Sequence, residues 1–399
     1  MGQEQNHNLK IALIGFGFVG RVFHANMIDQ TEGLELSAVV THNERATAQV
    51  HQLYPRARVY DNNDDFFKDI DRYDAVSIGT PDDTHLEFAA RVMQVGKPVV
   101  IDKPVAGSSQ EANKILDVAQ ATGTPAAAFQ NRRHDAEILT ASKYLKELDL
   151  GRIIRVESRY GSFRPNVETG WREQKKHDQP RGALFDLGAH TLDQVVQLFG
   201  PVTSIYGEVS TQREDAVVPD DFFIAATHQQ GIISHIVGGL VQSTRQPRLT
   251  IQGTLGSLQI NDQDPEEDQL KAGMRIDDPH FGVMPTPLPA ISTGRVRSIY
   301  SRPFGAGSRH STKVGVTSSR ARPTIRFPWL TASMFWNFWT RPCSPARRRG
   351  SFRNEVDALN TWLLGLLITG WVPADRKMAD QRGPNLFKAG LPGEKSQEP

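Results

Sequence analysis

The chain has 399 residues, 38% of them hydrophobic and 23% charged, which is the make-up of a globular protein long enough for two domains. Its net charge of +1 hides an asymmetry between a basic block and an acidic remainder, and its single cysteine, Cys343, excludes an internal disulfide framework and fits a reducing compartment. The polar opening MGQEQNHN carries no apolar leader, and the longest apolar run, Trp362 to Trp371, is too short to span a bilayer, so a cytoplasmic protein is expected.

Residues 1–8 are expected to form a disordered tail. Residues 10–14 (Lys-Ile-Ala-Leu-Ile) form a short apolar run ending in glycines, the pattern of a buried parallel strand leading through a tight turn into a helix. Further strands are expected at 35–40, 74–78 and 98–101. Helices are expected at 83–95, stopped by Gly96, and from a Ser108/Glu111 capping box to Gly123. Strands alternating with helices over residues 9–125 predict an α/β nucleotide-binding Rossmann domain, a doubly wound parallel sheet.

The pattern changes after about residue 125. A helix is expected at 136–149, then strand-like stretches at 152–160, 202–211, 222–228, 231–240 and 247–252, with a helix at 187–199 bounded by Gly200-Pro201. Short gaps between the strands predict an α+β domain with an open antiparallel sheet over 126–280. Its uncovered face and edges favour a homodimer or higher homo-oligomer.

Three motifs carry chemistry. Gly15-Phe16-Gly17-Phe18-Val19-Gly20 follows a strand and opens a helix, the context in which such glycines bind a dinucleotide. Gly15 allows the turn, Gly17 lets the backbone approach the pyrophosphate, and Gly20 lets helix and strand pack closely, while the helix N-terminus offers N–H donors. The second strand ends in Val40-Thr41-His42-Asn43-Glu44-Arg45. Thr41 stands where NAD enzymes place an acid for the ribose 2′-OH, and His42, Asn43 or Arg45 could contact a 2′-phosphate, so NADP is favoured. NAD remains open if Glu44 swings in.

Lys103, in Ile101-Asp102-Lys103-Pro104, sits at the C-terminal end of a predicted strand, where ligands of open α/β sheets bind. There it can stabilise charge on a reacting oxygen, or be an ordinary surface lysine. Asp186, His190 and Asp193 recur at i, i+4 and i+7, one face of a helix. A histidine oriented by a carboxylate is a general base able to work near neutral pH. Asp186 could instead be the helix N-cap and His190 a structural histidine.

Residues 10–278 resemble the family named for glucose–fructose oxidoreductase, inositol dehydrogenase and a rhizopine-catabolism protein. The matching pieces are the glycine fingerprint, Thr80-Pro81-Asp82-Asp83-Thr84-His85, Asp102-Lys103-Pro104 and Asp186-Leu-Gly188-Ala-His190. The family more often has Glu where Asp102 stands. Phe23-His24-Ala25, Asn131-Arg132-Arg133, Phe163-Arg164-Pro165, Trp171-Arg172-Glu173 and Asp264-Pro-Glu-Glu resemble a narrower subgroup that includes NADP-dependent scyllo-inositol dehydrogenases. The resemblance implies a catalytic lysine at Lys103, a catalytic histidine at His190 and a substrate-binding aspartate at Asp186. It adds Thr80, Pro81, His85 and Lys103 to the cofactor contacts. Asn131, Arg132, Arg164, Trp171 and Arg172 are expected to face a sugar or cyclitol, although each arginine could equally form a salt bridge across the domain junction. The implied activity is hydride transfer between a secondary alcohol and NAD(P), with no metal, nucleic acid or membrane involved. A nucleotide-binding regulatory protein without turnover is the alternative.

The pattern fades after about residue 278. Residues 279–354 contain twelve Arg, one Lys and no acid, a charge of +13 that leaves −12 on the remainder of the chain. At the frequency elsewhere in the chain, about ten acids would be expected in such a window. The block lacks helical or strand periodicity, which argues against a nucleic-acid surface. Residues 281–399 are therefore read as a divergent or frame-shifted region.

Overall fold

The computed structural model describes residues 8–167, 182–283 and 290–293. Expectations for Trp171, Arg172 and nearly all of 281–399 lie outside these residues. Among the described residues, no helix is long and apolar enough to cross a membrane.

Six strands form the first sheet: β1 (Leu9–Ile14), β2 (Leu34–Val40), β3 (Arg58–Tyr60), β4 (Ala75–Ile78), β5 (Val99–Asp102) and β6 (Ala126–Phe129). Their order is β3-β2-β1-β4-β5-β6 and every pairing is parallel. Helices α1 (Asn26–Gln30), α2 (Glu44–Leu53), α3 (Asn63–Lys68), α4 (His85–Gln94) and α5 (Ser109–Thr122) connect them. Alternation along β1 explains why both faces must be covered. Ala12 and Ile14 enter one core with Phe66, Ile78 and Met93, while Ile11 and Leu13 enter another with Leu36 and Val50. The expected cap at α5 is present, with the return bond moved one residue back: Ser108 Oγ accepts from Glu111 N, and Glu111 Oε2 accepts from Gly107 N. The domain extends past residue 125, because Ala126–Phe129 pairs with β5.

The second domain has α6 (Ala136–Glu147), β7 (Ile153–Gly161), α7 (Ala189–Phe199), β8 (Val202–Ser210), β9 (Asp221–His228), β10 (Ile233–Gly239), β11 (Leu249–Gly253), β12 (Gly256–Ile260), α8 (Glu266–Lys271) and β13 (Ala290–Thr293). The sheet order is β13-β12-β11-β7-β10-β9-β8, and β13, paired with β12, lies beyond residue 280. All described pairings are antiparallel except β7 with β10. The sheet is thus mixed at one joint. The chain leaves β7 and returns beside it only after α7, β8 and β9, a crossover long enough for parallel neighbours. Alternate β9 residues Phe222, Ile224 and Ala226 pack on Ile138 of α6 and on Leu192, Val195 and Phe199 of α7. After β12 the chain crosses back to the first domain. Leu270 and Phe281 pack on Val22, Phe23 and Met27, and Ile276 N donates to Gln30 Oε1.

Candidate active site

The parallel sheet reverses its winding between β1 and β4, and the crevice at the strand ends there is where such sheets bind ligands. Gly15 leaves β1 with φ +93°, and a Cβ on it would lie 2.8 Å from Gly79 O. A Cβ on Gly20 would lie 2.1 Å from Gly15 O, so only glycine lets the helix close on the turn. A Cβ on Gly17 would meet nothing within 4 Å. No internal packing demands glycine at 17, which fits a backbone left open for a ligand.

Beside this turn lies a cavity of about 330 Å³ lined by Phe16, Gly17, Phe18, Arg21, Thr41, Asn43, Arg45, Ala46 and Gln49. Arg45, Thr41 and Asn43, the residues at the end of β2, are among them. Arg21 was not anticipated, because the fingerprint ends at Gly20 and sets no residue type at the next position. Among the lining residues there is no acid. Glu44 is not among them, nor is His42, whose Nδ1 is held at the Asp61 carbonyl oxygen. His42 is therefore placed by the neighbouring loop and not by the cavity.

Thr80 and Pro81 follow β4, and Thr84 Oγ1 donates to Thr80 Oγ1 at 2.7 Å. His85 is buried, with Nε2 2.9 Å from Thr80 O and Nδ1 3.1 Å from Pro104 O. It ties the loop after β4 to the loop after β5. The expected cofactor contact at His85 is thus corrected to a support for the two loops flanking the crevice.

Lys103 emerges from β5 and reaches into the second domain, where its Nζ donates to Asp186 Oδ1 at 2.6 Å and to Asp186 O at 3.1 Å. Its side chain is 14% exposed, that of Asp186 41%. Asp186 is no N-cap. It lies inside a π-helical turn, Leu184–Gly188, that runs directly into α7, and its own N–H bonds Gly182 O. Such wide turns are frequent at functional sites. His190 follows on the first turn of α7 and is buried. Asp193 takes no part in a stripe with it, since both of its oxygens accept from Arg133, at 2.6 and 2.7 Å.

The arginines divide. Arg132 is buried at the domain junction, paired with Asp135 and Glu267 and lying 5.0 Å from the Tyr160 ring centroid. Its expected substrate contact is corrected to a structural one, because its charge is spent inside the protein. Arg164 is exposed beyond β7, and Asn131 follows β6 at the same end of the sheet as Lys103.

Two family models match the chain: "Oxidoreductase family, NAD-binding Rossmann fold" over residues 9–129, and "GFO/IDH/MocA C-terminal domain" over 138–259. The uncharacterized oxidoreductase YdgJ of Escherichia coli is 32% identical over 276 residues, covering 69% of this chain and 78% of its own. The scyllo-inositol 2-dehydrogenase (NADP(+)) IolW of Bacillus subtilis is 30% identical over 281 residues, covering 70% and 76%. The solved structure of the oxidoreductase yvaA from Bacillus subtilis superimposes with a TM-score of 0.69 at 28% identity, over 74% of this chain and 84% of that one. With both domains matched and Lys103 joined to Asp186 across them, the chain belongs to the GFO/IDH/MocA family of NAD-binding oxidoreductases.

Proposed function

We propose that the protein is an NADP-dependent dehydrogenase acting on a secondary alcohol of a sugar or cyclitol of the inositol type. The observation that carries this reading is the Lys103–Asp186 contact at the end of β5, one strand beyond the β1–β4 switch point and one helical turn from His190. An ammonium has three N–H bonds. Two point at Asp186, and the third is left to donate to a substrate hydroxyl. Asp186 Oδ1 fixes the lysine while its carboxylate accepts from a neighbouring hydroxyl of the polyol. His190 accepts the proton of the reacting hydroxyl as the alcohol becomes a ketone. A nicotinamide held at the glycine turn would supply the acceptor for the carbinol hydride.

NADP is favoured over NAD by charge. Arg21 and Arg45 line the cavity beside Thr41 and Asn43 with no carboxylate among them, a setting suited to a 2′-phosphate and unsuited to selecting a free ribose diol. The substrate class is supported by the similarity to IolW. The test is to incubate the full chain with NADP+ or NAD+ and a panel of inositols and sugars, following nicotinamide reduction. Inositol-dependent reduction with NADP+ preferred is expected. Tight NADPH binding with no polyol oxidised would favour a regulatory protein instead. The acid-free block at 279–354 favours a second reading, an inactive frame-shifted copy of the enzyme. Translating the resequenced gene in three frames across codons 270–399 separates the two.

A further inference from the structure

We propose that His24 is a positioning residue for Lys103, acting through Asp102. The inference rests on the reading of Lys103 as the ammonium that meets the substrate oxygen. His24 lies on the π-helical turn Gly20–Ala25 that follows the glycine fingerprint, and it is 2% exposed. Its buried neighbours on that helix, Val22, Phe23, Ala25 and Met27, are apolar. The imidazole crosses the ends of three adjacent strands. Nδ1 is 2.7 Å from Ser77 Oγ on β4, Nε2 is 3.4 Å from Asp102 Oδ1 on β5, and the ring centroid is 4.2 Å from that of Phe129 on β6.

The hydrogen-bond roles follow from the partners. An ionised carboxylate only accepts, so Nε2 carries the hydrogen that faces Asp102. In the neutral ring, Nδ1 then accepts from the Ser77 hydroxyl. Both partners are themselves buried, so an apolar residue at 24 would leave a hydroxyl and a carboxylate without this contact. Asp102 is the last residue of β5, and Lys103 departs from the next peptide towards Asp186. The direction in which β5 ends is thereby set by a side chain on the fingerprint helix. His24 does not line the cavity beside the glycine turn, and its polar contacts go to Ser77 and Asp102, which makes its role one of placement.

The experiment uses the full chain and three variants. His24→Phe keeps the ring against Phe129 and removes both polar contacts. Asp102→Asn keeps the shape and removes the charge, which gives an independent readout if His24→Phe folds poorly. His24→Gln can still donate to Asp102 and accept from Ser77. Acetylation of Lys103 by acetic anhydride is followed by peptide mass spectrometry relative to the exposed Lys114, alongside NADPH affinity and polyol turnover. In His24→Phe and Asp102→Asn we expect Lys103 to label about threefold faster and kcat to fall about tenfold, with the NADPH Kd held within about twofold and both effects largely reversed in His24→Gln. Unchanged labelling of Lys103 in both variants would overturn the proposal, as would a loss of NADPH affinity matching the loss of kcat. Labelling decides the matter even if the wild-type chain oxidises no polyol, a result that would sink the functional reading alone.

Discussion

The crevice at the end of the parallel sheet and the junction beneath the mixed sheet are both built from charged side chains, but they dispose of the charge differently. In the crevice, Arg21 and Arg45 face a cavity, and Lys103 and Asp186 keep part of their surface in solvent. At the junction the charges close on one another. Arg248 Nε lies 2.9 Å from Glu137 Oε1, Arg248 Nη2 donates to Gln194 Oε1, and Gln194 Nε2 donates to Arg132 O. Asp264 accepts from Ala136 N and Glu266 N, and Asp264 N donates to Glu137 Oε2. The two cations, Arg132 and Arg248, face more carboxylates than they can neutralise. Burial and the neighbouring acids push Glu266 up to about 9 and Asp264 up to about 7, and burial with Glu137 beside it raises Asp135 well above the carboxylate range. Charge left open is available to a ligand, whereas charge closed on itself docks the segment after β12 onto α6 and the turn before it.

The sharpest test of that contrast is His190→Ala. Loss of a general base should cost about 10²- to 10⁴-fold in turnover, with NADPH affinity unchanged by fluorescence titration. Wild-type turnover would remove His190 from the chemistry and make the crevice resemble the junction. Next in size is Arg248→Met, which strands a fully buried Glu137 and should cost about 3–5 kcal/mol in urea unfolding. The double variant Glu137→Leu/Arg248→Met should regain much of that loss. A single-variant cost under about 1 kcal/mol would show that the junction does not depend on its charges.

Smaller effects sharpen the comparison further. Arg21→Ala with Arg45→Ala should weaken NADPH about ten- to a hundredfold and leave NADH unaffected, on the order of the charged hydrogen bonds removed. Equal weakening of both dinucleotides would take the 2′-phosphate away from this cavity. A pH dependence belongs to the junction. Glu266 binds its proton more tightly folded than unfolded, so the stability it contributes is complete below its ordinary value and is lost as pH rises through about 9. The melting temperature should therefore fall from pH 5 towards pH 9. Glu266→Gln should flatten that fall by about 1 kcal/mol per pH unit. An unchanged slope would mean that Glu266 is already ionised in the folded protein.

Much of the crevice was legible because its signals are local. The glycines of the fingerprint, the strand before Lys103 and the capping box at Ser108 each declare themselves within a few residues. The junction was not legible, since its partners come from far along the chain. Gln194 and Arg248 are 54 residues apart, and Glu137 and Asp264 are 127 apart. By sequence Arg132 fits the pocket and the junction equally, and its pairs with Asp135 and Glu267 place it at the junction. Asp186 was compatible with an N-cap until the π turn placed it inside the helix and against Lys103. The short strands β3 and β6 carried too few residues for periodicity to reveal them.

The sequence by itself determined the parallel nucleotide-binding sheet and the glycine turn, because hydrophobic period and backbone demand are properties of neighbouring residues. Only the tertiary structure decided which side chains meet. It joined Lys103 to Asp186 across two domains, spent Arg132 on carboxylates, brought Arg21 to the cavity, and set His24 across the ends of three strands. The physical reason is that a buried polar side chain is defined by its partner, and the partner's position depends on how the whole chain packs.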